Sequence, residues 1–441
     1  MNYSEMYLEA QDLNQQAALL IKTGKFDVAK EKIEKAIEIE PMLMDSYKNY
    51  GDLSMALHQY KEAKNYYKKA LLIEKNGLLY FLFGNACFMN DEMDEGLENY
   101  NLAISNGYDN DEMLFFMGMA YEHLNDDQMA LRYFKKASLK NPSKPDYQVK
   151  KISVMLRLDM IDAAEESVDE LIQNSPELYD GYHIKTQILL YKKQIEEAVK
   201  FSKGASERFP EDVDLLFDYI KCVANSNNLE LAAKLIHTAK QMKYFEESKP
   251  QFLLLEAQIA AEQQNIATAI ECCEECLKLE QEDQYFADVR FMLLNMYLLN
   301  KNFEQTYQQA EQIVNKNRKD LYYYTALYYR PYCLKQNGKL EEAKRMFKEV
   351  NSIYRLYTLE NPEAIDIYLY RVMCLKELEM YDKALEILEF VETVTREVAE
   401  IYTLRAEIFE ALGKHTQSKE ALNKAYDLKP ELKPVNEEVG V

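Results

Sequence analysis

The alternation of apolar and polar positions in residues 47–75 predicts two short amphipathic helices joined by a turn. The first helix shows the i, i+3, i+4, i+7 spacing of one helix face at Tyr47, Tyr50, Gly51 and Ser54. The second helix is marked by Tyr60, Ala63, Tyr67 and Ala70. Small residues allow helices to cross closely, and large ones fill the space beside the crossing. A single pair cannot bury its apolar face, so pairs must stack on one another.

This spacing recurs along the chain. The small residue near the start of each second helix, Ala63 in the first example, returns at intervals of 33 to 41 residues. We call these residues the anchors: Ala29, Ala63, Gly96, Ala130, Ala164, Ala198, Ala232, Ala269, Thr306, Ala343, Ala384 and Ser418. Seven residues after each anchor stands a second small or aliphatic residue, from Ala36 to Ala425. Proline closes several units, as at Pro142.

The pattern resembles the tetratricopeptide repeat (TPR) family in its 34-residue period, its small residue eight positions into the first helix, the two small residues of the second helix and the closing proline. About twelve copies cover residues 10–430, and residues 114–142 are the clearest. The tryptophan frequent in the family is absent, and Thr306 and Pro331 occupy positions that are normally small. The resemblance implies an all-α fold, a right-handed superhelical α-solenoid of stacked antiparallel helix pairs.

The change in repeat length predicts the domain organisation. Residues 1–248 form an array with regular repeats of 33–34 residues, residues 249–430 an array with repeats of 34–41 residues, and residues 431–441 a tail. Insertions of three or seven residues are close to one or two helical turns, so they lengthen helices. Residues 339–362 are predicted to be one long helix that ends at its proline. Pro331 cannot donate a backbone hydrogen bond to Leu327, so it should bend its helix.

Charge and composition limit the partners. The formal net charge of -22 predicts a surface that repels phosphate backbones and anionic lipids, so we expect no nucleic acid partner. The sequence has no long uninterrupted apolar stretch, so we expect no membrane insertion. An odd number of cysteines, seven, and the lack of a signal peptide predict a cytoplasmic protein. The Lys-, Glu-, Asn- and Tyr-rich usage suggests a bacterial source.

Candidate chemistry is sparse. The stretch Cys272, Cys273, Cys276 has a possible metal-binding or redox interpretation, but no further Cys pair or His follows at zinc-finger spacing. Cys273 and Cys276 fall on buried helix positions, which favours packing. The five histidines occupy five different repeat positions and none belongs to a nucleophile motif. We therefore predict no catalytic residues, no metal site and no cofactor.

The resemblance implies a different kind of site. In the TPR family, the second, fifth, ninth and twelfth positions of the first helices line a concave groove that holds peptides. Here amides suited to a peptide backbone and aromatic or apolar anchors occupy this stripe. The predicted groove residues are Phe81, Asn85, Phe115, Met119, Gln187, Gln258, Phe291, Asn295, Tyr328 and Tyr332. The first four should form one contiguous patch, and Tyr328, Tyr332 and Tyr370 a second. The alternative is that neighbouring helices cover these aromatic residues.

The sequence thus predicts a non-catalytic TPR scaffold or adaptor that binds a protein or peptide segment in its concave groove. One alternative is a peptide-sensing TPR regulator of the transcription-regulator type without an obvious effector domain. The first repeat begins by about residue 10, which leaves no room for such a domain in front of it. A second alternative is an unrecognised enzyme, for which strongly perturbed carboxylates in a pocket would be evidence.

Overall fold

The computed structural model describes residues 3–243, 245–279 and 284–433. Over these residues the protein is all-α, with 24 α-helices, one short 3₁₀-helix at Pro430–Leu432 and no strand. The predicted class of stacked helix pairs is confirmed. Residues 434–441, most of the predicted tail, lie outside the described residues.

The chain divides into two compact units, Met1–Cys222 and Val223–Val441, with the division inside helix α13. The boundary after residue 248 rests on the change of repeat length and stays a prediction. The helices up to the division are α1 Tyr3–Lys22, α2 Phe26–Ile39, α3 Met44–Ala56, α4 Tyr60–Ile73, α5 Gly77–Met89, α6 Met93–Ser105, α7 Asp111–His123, α8 Asp127–Lys140, α9 Pro145–Arg157, α10 Ile161–Asn174, α11 Tyr179–Tyr191, α12 Ile195–Arg208 and α13 Val213–Asn225.

The second unit follows the same order of elements. Its helices are α14 Leu229–Ala239, α15 Phe245–Glu262, α16 Ile266–Leu277, α17 Gln284–Leu299, α18 Phe303–Lys316, α19 Leu321–Gln336, α20 Leu340–Glu360, α21 Ile365–Glu377, α22 Tyr381–Val394, α23 Ala399–Ala411 and α24 His415–Leu428. Consecutive helices contact one another from α1 to α12 in the first unit and from α14 to α24 in the second unit. First helices of adjacent repeats also touch, as α19 touches α21 and α21 touches α23. In the second unit the first helices α19, α21 and α23 therefore lie side by side on one face.

The small anchor residues explain why the two helices of each repeat can pack closely against each other. All twelve are buried, and so are all twelve residues seven positions further on. Larger side chains would separate the helices at these crossings, because protein interiors are close-packed. The small-residue register predicted from the sequence is therefore correct along the described chain.

The turn between the two helices of each repeat uses one left-handed residue. It always stands five positions before the anchor and has a positive φ between 56° and 79°. The twelve residues are Gly24, His58, Asp91, Asn125, Asp159, Lys193, Asn227, Gln264, Lys301, Gly338, Glu379 and Gly413. Glycine adopts this conformation without steric cost, and Asn and Asp tolerate it. Longer side chains adopt it at a cost in free energy. The repeat spacing thus imposes the same turn on residues with very different preferences.

The later repeats contain the longer helices that the spacing predicted. Helix α20 runs for 21 residues and ends just before Pro362, as expected. Helices α15, α17 and α19 have 18, 16 and 16 residues. Pro331 lies inside α19, which continues to Gln336. The bend at this proline stays a prediction.

Candidate functional site

The second unit has a largely apolar groove of about 580 Å³ on its first-helix face. It crosses the first helices of four consecutive repeats, α17, α19, α21 and α23. We call it the unit 2 groove. Its lining residues are Phe291, Leu321, Thr325, Tyr329, Asp366, Leu369, Tyr370, Met373, Val398, Glu400, Thr403 and Leu404. In the repeat numbering used for the predicted groove, ten of these twelve residues occupy the second, fifth, sixth or ninth position of a first helix.

Tyr370 is fixed in the groove wall by two aromatic contacts and one hydrogen bond. Its ring lies between those of Tyr328 and Tyr354, with centroid distances of 5.9 and 6.0 Å. Its hydroxyl donates a hydrogen bond to Thr325 Oγ1 at 3.0 Å. Burial raises the pKa of Tyr370, and raises that of the nearby Tyr329 to about 12. Both phenols are therefore neutral at physiological pH and act as polar edges of an apolar surface.

The rest of the wall is apolar or weakly polar. Phe291 stacks on Tyr322 with a centroid distance of 4.4 Å and remains partly exposed. Leu369 and Leu404 contribute side chains from the core, and Met373 is half-buried between them and solvent. Methionine adapts to differently shaped apolar partners. This combination suits a segment that inserts one or two apolar side chains.

Two carboxylates stand at the edge of the unit 2 groove. Glu400 forms an ion pair with Lys429, whose Nζ lies 2.5 Å from the carboxylate, and this hydrogen bond lowers the pKa of Glu400. Asp366 is exposed at the second residue of α21. Within the described part of the chain it has no ion-pair partner. The groove edge therefore carries negative charge.

Two predicted groove residues are corrected by the structure. Phe81 is only 4% exposed and stacks on Tyr108 at a centroid distance of 5.2 Å. Tyr328 is only 2% exposed and packs against Phe347. Both occupy the fifth position of the family stripe, where the following residues of the stack cover them. As core residues they cannot be ligand anchors, so the predictions for Phe81 and Tyr328 are wrong.

The contiguous patch predicted around Phe81 therefore loses its first member. Phe115 is partly buried, with its ring 4.7 Å from Tyr147 and 5.4 Å from Phe134. Asn85 accepts a hydrogen bond from the Tyr100 hydroxyl at 2.8 Å, which occupies part of its amide. Roles in binding for Asn85, Phe115 and Met119 stay predictions.

The remaining predicted residues differ in exposure. Gln258 is exposed, while Phe291, Asn295 and Tyr332 are partly exposed. Only Phe291 of the ten predicted residues lines the unit 2 groove. Gln187 instead uses its amide within the first unit, where it donates to Asp218 at 3.0 Å. Their binding roles also stay predictions.

A buried carboxylate accounts for this use of Gln187. Asp218 is 1% exposed and also accepts a hydrogen bond from His183 Nδ1 at 2.6 Å. Burial raises the pKa of Asp218, and the hydrogen bond to its carboxylate raises the pKa of His183. Asp214 and Asp180 also favour the charged imidazole. The network joins the fifth and ninth positions of α11 to the sixth position of α13. The sequence carries no separate signal for it.

This network predicts a pH-dependent stability. Because the pKa of His183 is raised in the folded state, its interactions stabilise the fold fully at pH values below the ordinary pKa of histidine, about 6.5. This stabilisation is lost as the pH rises through the folded-state pKa of His183. The raised pKa of Asp218 has the same sign, but its contribution starts to be lost near about pH 4, the ordinary range of an aspartate, so the change above about pH 6 is assigned to His183. The urea midpoint of the intact chain should therefore fall between about pH 6 and 8. The change should be about 1 kcal/mol or less, since the His183 side chain is 46% exposed.

His183→Asn should flatten this pH dependence in urea titrations followed by circular dichroism. His123→Asn is the matched control, because His123 is also an exposed histidine within 3.1 Å of a carboxylate, that of Asp91. If the urea midpoint changes with pH equally steeply in the wild-type protein and in His183→Asn, the pH dependence does not arise from His183.

The cysteine stretch packs into the core. Cys272, Cys273 and Cys276 are buried in one apolar cluster with Phe286 and Leu293. Burial raises the pKa of the Cys272 and Cys273 thiols to about 12. Protonated thiols are poor nucleophiles and poor metal ligands. Packing in the apolar core therefore accounts for the burial of these three cysteines and for the raised pKa values of Cys272 and Cys273.

Another cysteine lies near two carboxylates. Cys87, Glu92 and Glu95 offer ligand atoms within 4.8 Å of one another. Lys64 donates hydrogen bonds to both glutamates and offsets part of their charge. Burial raises the pKa of the Cys87 thiol. The ammonium group already occupies the place that a cation would take.

Comparison with known proteins identifies the repeats. The family model described as tetratricopeptide repeat matches residues 45–76, 111–139, 250–283 and 399–432. These four segments are tetratricopeptide repeats, and the resemblance to this family is confirmed. The family model itself matches four copies, whereas the described residues contain 24 α-helices, two for each of twelve predicted repeats.

Relatives and solved structures share parts of the chain. BBSome complex member BBS4 of Bos taurus is 26% identical over 124 residues, which are 28% of this chain and 24% of that protein. The Mus musculus protein is 27% identical over 112 residues, or 25% and 22% of the two chains. The match thus spans about a quarter of these relatives.

Among solved structures, YrrB, described as a TPR protein with an unusual peptide-binding site, is similar at 20% identity and a TM-score of 0.38. The similarity covers 42% of this chain and 96% of YrrB. The Cut9–Hcn1 structure is similar at 12% identity and a TM-score of 0.42, over 98% and 94% of the chains. Across the described residues, no helix combines the length and apolar character that crossing a bilayer requires.

Proposed function

We propose that this protein is a non-catalytic scaffold that binds a protein or peptide segment, and that the unit 2 groove is its binding site. The observation that carries the proposal is the run of apolar surface across four first helices, edged by neutral hydroxyls and two carboxylates. Its volume of about 580 Å³ falls in the range of ligand sites, and apolar walls with few polar groups are typical of them.

The ionisable groups of the groove support binding over chemistry. A catalytic acid of the carboxyl type needs a raised pKa, whereas the pKa of Glu400 is lowered by Lys429. A phenol acting as a base needs a lowered pKa, whereas burial raises those of Tyr329 and Tyr370. These groups are therefore better suited to hydrogen bonding with a bound segment.

The thiols support a reducing compartment. None of the seven cysteines, all of which lie in the described part of the chain, forms a disulfide, and all are buried and pack as small apolar side chains. We therefore place the protein in the cytoplasm as part of the proposal. Its high negative charge supports a protein partner over nucleic acid, because phosphate backbones would be repelled.

The groove can be tested with two changes to its wall. Selection of the full chain against a phage-displayed random dodecapeptide library should enrich a common motif. Met373→Ala should weaken binding of the enriched peptide by about tenfold, since truncating an interface anchor commonly costs more than 1 kcal/mol. Thr403→Trp should weaken binding more strongly by filling the groove. Isothermal titration calorimetry measures both effects.

Leu356→Ala is the control, because Leu356 is a 65% exposed apolar residue on second helix α20 and does not line the groove. Its affinity for the peptide should equal that of the wild type. The proposal fails if no peptide is enriched, or if the peptide binds both groove variants as tightly as it binds the wild type.

A further inference from the structure

The lining of the unit 2 groove has only one sign of charge. Asp366 and Glu400 are its charged residues, and no lysine, arginine or histidine is among the lining residues described above. The whole chain has 75 acidic and 53 basic residues, so its wider field is negative as well. A bound segment with an added negative charge would be repelled, and a basic segment would be attracted.

The two carboxylates are not equivalent. Glu400 already shares its charge with Lys429. Asp366 is exposed and stands one helical turn before Tyr370, so both side chains face the groove. A cation beside Asp366 would meet a carboxylate and the neighbouring aromatic ring together. Aromatic faces attract cations, and the methylene stem of lysine or arginine packs well on them.

Apolar positions flank this acidic point. Leu321, which is 54% exposed, and Phe291 lie on the preceding helices, and Met373 lies two turns further along α21. An apolar side chain of the ligand can therefore be buried while a nearby cation reaches Asp366. An uncharged apolar segment would leave the carboxylate without a partner.

We infer that the unit 2 groove selects segments of partner proteins in which a large apolar residue stands within a few positions of a lysine or arginine, and that Asp366 binds this cation. This inference rests on the proposed function, because it names the class of segment that the same groove takes.

The test uses the full chain, the same random dodecapeptide library and synthetic versions of the enriched peptide. The enriched motif should contain Lys or Arg near a large apolar residue. Replacing that basic residue with norleucine, which keeps the stem and removes the charge, should weaken binding to the wild type by about tenfold. The same replacement should have little effect on binding to Asp366→Asn. Wild-type affinity should fall between about 50 and about 500 mM salt.

Asp382→Asn provides the matched control. Asp382 is an exposed aspartate at the second residue of helix α22, as Asp366 is in α21, but it does not line the groove. This variant should discriminate between the lysine or arginine peptide and the norleucine peptide as the wild type does.

The outcomes separate the two proposals. An enriched motif without basic residues overturns the inference and leaves groove binding in place. An equal loss with norleucine in the wild type and in Asp366→Asn overturns the role of Asp366. If no peptide is enriched at all, the proposed function fails and the inference fails with it.

Discussion

Phe81→Ala is expected to lower the free energy of unfolding of the first unit by about 3–5 kcal/mol. The ring is 4% exposed and lies in a cluster with Tyr100, Met113 and Met117. Removing it leaves a cavity between repeats, because the aromatic residues around it are held by their own contacts with the neighbouring helices. Loss of the Phe81 ring should therefore act on the stability of the array and not through a direct contact with a ligand.

Leu78→Ala is the control for this change. Leu78 lies on the same helix, α5, and is 38% exposed, so its truncation should cost less than about 1 kcal/mol. Repeat arrays do not always unfold in one step, so urea titration should be combined with hydrogen exchange of the α5–α8 amides. A Phe81→Ala protein as stable as Leu78→Ala would show that this phenylalanine is not a core residue.

Gly118→Ala is expected to lower the free energy of unfolding by about 1–3 kcal/mol, although alanine is the better helix former. A Cβ atom at Gly118 would stand 2.6 Å from the ring of Phe134. That ring is fully buried and cannot move away without disturbing its neighbours. Overpacking at this crossing therefore outweighs the gain in helix propensity.

Gly204→Ala separates the two effects. Gly204 also lies in a helix, α12, but a Cβ atom there meets nothing within 4 Å. This variant should be more stable than the wild type by about 0.5–1 kcal/mol, since only the propensity term remains. Thermal melts of both variants provide the measurement. If both changes stabilise the protein, the close crossing at Gly118 does not limit its packing.

The groove shows where prediction from the sequence stops. The family stripe predicted Phe291 as a groove residue, and Met373 stands at the ninth position of the same stripe. Both residues line the unit 2 groove. Phe81 and Tyr328 share the fifth position with Phe291, yet they are buried. Position within a helix determines the direction of a side chain. Whether that direction reaches solvent depends on the residues that the next part of the stack places over it.

The sequence by itself determined the all-α class, the register of the anchors and the long helix α20, because close helix crossings admit only small residues at a regular spacing. Only the tertiary structure decided which aromatic residues are covered, that Asp218 is buried beside His183, and that Asp366 faces an apolar groove without an ion-pair partner in the described chain. These features arise between repeats, from residues about one repeat apart. The physical reason is that periodicity is a property of each helix, whereas burial and charge pairing depend on the particular side chains of its neighbours.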